Sequence, residues 1–294
     1  MKITTKVASL TGVGFAGFLW LGLTAAIAAS QRKLVFDPAV RHGGIGPRSS
    51  GHRTRSVVLR ADDGTRLSGW LMTPEFPGPH RAVIYFGGRS ENVSWVARDA
   101  GRMFPGMTVL AVNYRGYGES HGVPTEPSIV DDGRVLFDWL VERRHIDPTK
   151  VAVVGRSLGS GVAVQVATKR PVHSLVLITP YDSVLALARR RFRAVPISFV
   201  LGPRFETIKY ASLLKIPTYV LRAAADVVVP HSHTDVLVAS LTHLSLDETI
   251  ADSDHSNIPH LVTTQDKIAS FLTSQFEASR VQQDAVHQLM TDNK

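Results

Sequence analysis

Ser157 is framed by two glycines in Gly155-Arg156-Ser157-Leu158-Gly159, a spacing that suits nucleophilic chemistry. A serine at a sharp strand-to-helix turn stands clear of the backbone, where a base can take its proton. Amides at the start of the following helix can then hold an oxyanion. The neighbours fit such a turn. Val151-Ala152-Val153-Val154 reads as a short buried strand, and the stretch from Ser160 to Ala167 is small-residue-rich and helix-like. The chemistry predicted is acyl transfer through a serine, which needs a histidine base and an acid to orient it.

The turn resembles the nucleophile elbow of α/β-hydrolases, which implies that the acid follows the serine and the histidine comes last. Asp226 lies just past the apolar stretch Pro217-Thr218-Tyr219-Val220-Leu221 and before Pro230. His255 lies in a polar loop, Ala251-Asp252-Ser253-Asp254-His255-Ser256-Asn257, between the last strand and the last helix. The chain has 12 histidines, so rivals must be weighed. His260 is the serious one, and Asp182, after the preceding strand, is the rival acid. His231 and His233 stand close together, but serine chemistry requires no metal, and neither metal nor cofactor is expected. The second oxyanion donor should come from Phe86-Gly87-Gly88-Arg89-Ser90, the loop after an early central strand. The expected donors are the N–H of Leu158 with that of Gly88 or Arg89.

The elements that must position these groups can be read from the pattern. Ser56–Arg60 and Arg66–Leu71 flank an Asp-Gly turn and read as a hairpin. Strands follow at 82–86, 108–113, 151–154, 174–179, 217–221 and near 244–250. Helices are predicted at 92–103, 130–144, after the serine turn, and near 264–278. Strands without polar alternation, separated by helices, imply a mostly parallel sheet covered on both faces. The segment of about 181–214 is too long for a bare connection and reads as a small cap above the carboxyl edge of the sheet, where ligands bind.

Ahead of this domain, Lys2 and Lys6 precede an uncharged stretch from Val7 to Ala29. As a helix it would cover about 34 Å, enough for a bilayer core. An uncleaved membrane anchor over residues 1–30 is expected, with a cleaved signal ending near Ala26-Ile27-Ala28 and a buried soluble helix as the alternatives. The catalytic domain would then span 31–280 on the periplasmic or extracellular side, with a polar tail over 281–294. The composition is that of an ordinary globular protein, 44% hydrophobic and 20% charged, and the absence of cysteine rules out disulfides and a thiol nucleophile. The net charge is +8, densest at Arg189, Arg190, Arg191 and Arg193, which suits an anionic membrane surface, an acidic substrate or equally a solvated helix face. No interleaved basic-aromatic platform suggests nucleic acid.

The chain resembles N-terminally anchored α/β-hydrolases of the serine aminopeptidase-like group. The resemblance is carried by Asn113-Tyr114-Arg115-Gly116-Tyr117-Gly118-Glu119-Ser120-His121-Gly122, by the segment Gly155 to Ala163, and by Thr179-Pro180-Tyr181-Asp182-Ser183 with Phe205-Glu206-Thr207-Ile208. It implies an α/β-hydrolase fold and the trio Ser157, Asp226 and His255. Two positions depart from the group's pattern: Gly87 stands where a histidine is usual, and Arg222-Ala223-Ala224-Ala225 replaces a His-Gly pair before the acid.

The reading is a serine esterase acting on a small acyl substrate. The first alternative is a serine aminopeptidase, which needs a carboxylate to bind the substrate ammonium, with Glu206 or Asp182 of the cap as candidates. The second is a non-catalytic hydrolase-like binding protein.

Overall fold

The computed structural model describes the backbone of residues 4–38 and 49–291 and the side chains of 20–38 and 49–278. Helix α1 (Thr4–Val35) leads into strands β1 (His52–Arg60), β2 (Arg66–Pro74) and β3 (His80–Phe86). Helix α2 (Ser94–Met103), β4 (Thr108–Val112), α3 (Glu126–Val141), β5 (Ile146–Arg156), α4 (Leu158–Ala167) and β6 (Ser174–Ile178) follow in alternation. Three short helices, α5 (Val184–Arg191), α6 (Ile197–Val200) and α7 (Ile208–Ala211), separate β6 from β7 (Thr218–Ala223). Helix α8 (His231–Val238), β8 (Leu244–Ile250) and α9 (Val262–Thr291) close the chain.

The strands form one eight-stranded sheet in the order β1-β2-β4-β3-β5-β6-β7-β8. The hairpin β1–β2 joins β4 antiparallel, and every pairing from β4 to β8 is parallel. The unbroken apolar strands follow from burial on both faces. In β3, Ala82, Ile84 and Phe86 enter the cluster on one face, while Val83 and Tyr85 enter the other. Helical spacing does the same for the flanking layers: α2 buries Val96, Ala97, Ala100 and Met103, and α9 buries Ile268, Phe271 and Leu272.

Helix boundaries show where local chemistry decides. Helix α3 starts at Glu126, earlier than the apolar pattern predicts, because Thr125 and Ser128 form a reciprocal capping box. Helix α9 continues through the backbone of the expected polar tail to Thr291, and no glycine or proline interrupts that stretch. The side chains there lie outside the described residues.

The expected membrane anchor falls partly outside the described side chains, which begin at Trp20. Among the described residues no helix is long and apolar enough to cross a membrane. The described half of α1 lies against the cap instead. Trp20 Nε1 donates to Ala194 O at 2.6 Å, Gly202 N donates to Gln31 Oε1 at 2.6 Å, and Ile27 and Val35 are buried. Part of the apolar stretch that would have spanned a bilayer therefore serves the globular domain.

Candidate active site

Strand β5 ends at Arg156 and α4 begins at Leu158, so Ser157 alone makes the turn. Its φ of 49° and ψ of −118° lie in a region that L-residues avoid, and the packing around it holds the strain. The two glycines are required by contact. A Cβ on Gly155 would lie 2.4 Å from Gly159 O, and one on Gly159 would lie 2.1 Å from Phe86 O. Only bare backbone lets the turn pass that close to β3 and its loop.

Ser157 Oγ and His255 Nε2 are 2.9 Å apart, and His255 Nδ1 is 2.8 Å from Asp226 Oδ2. The other Asp226 oxygen accepts from the N–H groups of Val228 and Val229 at 2.9 and 2.7 Å. With both oxygens engaged and the side chain almost wholly buried, the carboxylate has one orientation. Residues from the centre of the sheet and from the loops after β7 and β8 thus meet at its carboxyl edge. Asp182, the rival acid, is 2.8 Å from His233 Nδ1 and forms a separate pair. His260 stacks edge-on against Trp95, with ring centroids 4.4 Å apart, and burial pulls its imidazole below the usual histidine range. His231 turns Nε2 to Ala223 O at 2.8 Å.

The three expected oxyanion donors differ. Gly88 N–H donates to Glu91 Oε2 at 2.7 Å and is engaged there. Among the described residues no such bond takes the N–H of Arg89, and Leu158 opens α4, where amide donors lack intrahelical partners. The loop is held from behind through its carbonyls: Tyr114 Oη donates to Gly87 O at 2.9 Å and Tyr117 Oη to Arg89 O at 2.5 Å. Both tyrosines belong to the segment 113–122 that carried the family resemblance, and their burial pushes both hydroxyls well above the usual tyrosine range, keeping them as donors. Arg115 of the same segment grips Asp132 of α3 through two bonds of 2.7 Å and also Asp63 of the hairpin turn.

Glu91 is a site residue that sequence reasoning missed. Its carboxylate accepts from Tyr85 Oη (3.0 Å), Trp95 Nε1 (2.8 Å), Gly88 N (2.7 Å) and Arg156 Nη1 (3.1 Å). Arg156 Nη2 in turn donates to His255 O at 2.6 Å. Three of its partners lie within six residues along the chain, but the fourth, Arg156, is 65 positions away and reaches it only in the folded sheet.

A cavity of about 490 Å³ opens above Ser157. It is lined by Tyr181, Val184 and Leu187 of the cap side, by Val229, and by Leu34 and Val35 of α1. Among the described residues, Arg89 and Arg191 are its only charged lining residues. The arrangement offers a hydroxyl with a base in reach and an apolar space for a substrate chain.

The fold is shared widely. The structure overlays on 2,6-dihydroxy-pseudo-oxynicotine hydrolase with a TM-score of 0.63 at 22% identity, covering 74% of this chain and 67% of that one. It overlays on an acetyl xylan esterase from Paenibacillus sp. R4 with a TM-score of 0.61 at 18% identity, covering 84% and 92%. In sequence, the chain is 29% identical to the protein Rv2307c of Mycobacterium tuberculosis H37Rv over 275 residues, 91% of this chain and 93% of that protein. It is 28% identical to the alpha/beta hydrolase domain-containing protein WAV2 of Arabidopsis thaliana, covering 77% and 80%. Residues 77–283 match the family Hydrolase_4, serine aminopeptidase S33, so the chain, with its eight-stranded sheet and its serine at the turn, belongs to that family of α/β-hydrolases.

Proposed function

We propose that the protein is a serine hydrolase that cleaves carboxylic esters or related acyl compounds through an acyl-enzyme. The observation that carries this reading is the continuous run Ser157 Oγ, His255 Nε2, His255 Nδ1, Asp226 Oδ2, with 2.9 and 2.8 Å at its two contacts. Ser157 attacks the carbonyl as His255 Nε2 takes its proton, and Asp226 holds Nδ1–H and balances the imidazolium. The amides of Leu158 and Arg89 stabilise the tetrahedral oxyanion, a contribution of roughly 10²–10³ in kcat per donor. His255 then returns the proton to the leaving alcohol, and water resolves the acyl-enzyme by the same steps reversed.

The peptidase alternative is weaker because its carboxylate is missing from the cavity. Glu206 is paired with Lys209 at 2.7 Å, Asp182 is paired with His233, and the lining charges are arginines. Turnover of p-nitrophenyl butanoate but not of aminoacyl-anilides is the expected pattern. A fluorophosphonate probe should label Ser157, and Ser157→Ala should abolish both labelling and turnover. Absence of labelling in native protein, with esterase activity intact in Ser157→Ala, would overturn the proposal. A protein with no turnover of any acyl ester would instead favour the non-catalytic reading.

Membrane attachment through the N-terminal segment, with the catalytic domain on the periplasmic or extracellular side, remains part of this proposal. Protease accessibility of the domain in intact cells tests the side.

A further inference from the structure

Two arrangements outside the serine, histidine and aspartate contacts carry inferences of their own. The first concerns the mouth of the cavity. Val227 and Val228 line it and are 89% and 56% exposed, and Leu34, 40% exposed, lines it from α1. Nearby on α6, which packs on α1, Phe199 is 91% exposed. An apolar rim around an apolar cavity marks contact with something other than water. Its charge says what. Arg191 lines the cavity, Arg190 and Arg193 flank it in sequence, all three are exposed, and among the described residues no carboxylate lies within ion-pair distance of any of them. Trp20, bonded to Ala194 next to these arginines, adds an amphipathic ring of the kind that sits at headgroup level.

We propose that the end of the cap bearing α5 and α6 seats on an anionic lipid surface, and that the cavity takes one acyl chain of an ester directly from it. The inference rests on the serine hydrolase reading above and names its substrate class: long-chain acyl esters presented in an anionic bilayer. The wall formed by Leu34 and Val35 makes α1 part of the acyl site.

The test uses the full chain and a long-chain fluorogenic acyl ester, in vesicles of phosphatidylcholine or of phosphatidylcholine with phosphatidylglycerol. Anionic vesicles should raise kcat/KM about fivefold or more for each arginine engaged, and added salt should shrink that gain. Arg190→Gln/Arg193→Gln should lose most of the gain, and Phe199→Ser should lower turnover on both vesicle types. Equal rates on the two vesicle types, or a full gain in the double variant, would overturn the inference. Because wild type and variants carry the same N-terminal segment, attachment through it cancels in the comparison. Soluble p-nitrophenyl butanoate separates the two proposals. Turnover of this ester without any vesicle effect sinks only the lipid inference, whereas no turnover and no fluorophosphonate labelling sinks the hydrolase reading itself.

The second arrangement is the buried pair of Glu91 and Arg156. Glu91 Oε2 fixes Gly88 N–H, one residue before the Arg89 donor, while Arg156, adjacent to Ser157, reaches on to the carbonyl of His255. One ion pair therefore touches the oxyanion loop, the serine turn and the histidine loop. We infer that Glu91 and Arg156 are positioning residues that set the distance between the oxyanion donors, the serine and the base. Glu91→Gln should lower kcat for the butanoyl ester about tenfold or more, as loss of a charge-assisted bond implies, with KM within about twofold. Arg156→Lys, which keeps the charge but cannot span both partners, should recover part of the loss seen in Arg156→Ala. An unchanged kcat in Glu91→Gln, or Arg156→Lys as impaired as Arg156→Ala, would overturn the assignment. Thermal melts of the same variants expose a general loss of fold, which would lower kcat in proportion to the unfolded fraction.

Discussion

The Tyr117 hydroxyl donates to the carbonyl of Arg89 at 2.5 Å and accepts from the N–H of Asp37 at 3.0 Å. One side chain from the loop after β4 thus ties the loop after β3 to the segment that leaves α1. A peptide whose carbonyl is held on one side turns its neighbouring N–H groups to the other. Tyr114 does the same for Gly87. Replacing either tyrosine by phenylalanine should cost about 0.5–1.5 kcal/mol of loop positioning, a fall of roughly twofold to tenfold in kcat for a short ester. Steady-state kinetics check this, and unchanged kcat in Tyr114→Phe/Tyr117→Phe would show that the loop needs neither bond.

Gly159→Ala should be costly where Gly22→Ala is not. The added methyl on Gly159 meets two backbone oxygens, Phe86 O at 2.1 Å and Gly87 O at 2.6 Å, which cannot rotate away. The expected destabilisation is about 1–3 kcal/mol, read from urea denaturation. A Cβ added at Gly22 would meet no described atom outside the neighbouring backbone of its own helix within 4 Å, so alanine there should be neutral or slightly stabilising.

The buried cluster of Arg115 and Asp132 should show the asymmetry of paired charges. Burial pushes the Asp132 carboxyl up, against the guanidinium that favours its ionised form. Arg115→Met leaves that carboxylate alone and should cost about 3–5 kcal/mol, whereas Arg115→Met/Asp132→Asn should regain a large part of it. Chemical denaturation of the three proteins decides the point.

Stability should fall as the solution is acidified through the histidine range. Burial pulls the imidazoles of His173 and His145 below their ordinary range, aided by Lys150 and by His80 respectively. The unfolded chain takes up a proton on each near pH 6.5 while the folded chain does so only at lower pH. Below about pH 6.5 the unfolded state therefore binds more protons and is favoured, until the folded state titrates as well. The melting temperature should drop between pH 7.5 and about 5, and His173→Leu should flatten the drop.

Helix α1 should matter beyond any role in membrane attachment. A protein beginning at residue 31 loses the Trp20 bond to Ala194 and the buried Ile27 side chain. It should keep turnover of butanoyl esters but lose discrimination in favour of long chains, because Leu34 and Val35 lose their support. Ile27→Ala in the full chain should show the same trend with about 2 kcal/mol of destabilisation, measured by thermal melts beside a chain-length series.

Much of this architecture was legible in the chain. The apolar runs at 82–86, 151–154 and 174–179 are buried on both faces, and that demand excludes polar alternation, so the parallel sheet could be read directly. The glycines at 155 and 159 were equally plain, since no other residue fits between β5, α4 and the backbone of Phe86. Helix α3 started earlier than expected because its start depends on a capping box and not on apolar spacing.

Sequence by itself determined the serine turn, the succession of strands and helices along the chain, and a short set of acids and histidines able to reach Ser157. Tertiary structure alone decided the pairings within that set: His255 meets Asp226, while Asp182 meets His233 and His260 packs on Trp95. It also engaged Gly88 N–H with Glu91, and it turned the end of an apolar N-terminal helix into a wall of the cavity. The physical reason is range. Propensity and burial act on neighbours along the chain, whereas a hydrogen bond between residues 98 positions apart, as from Ser157 to His255, exists only once the sheet has brought its loops to one edge.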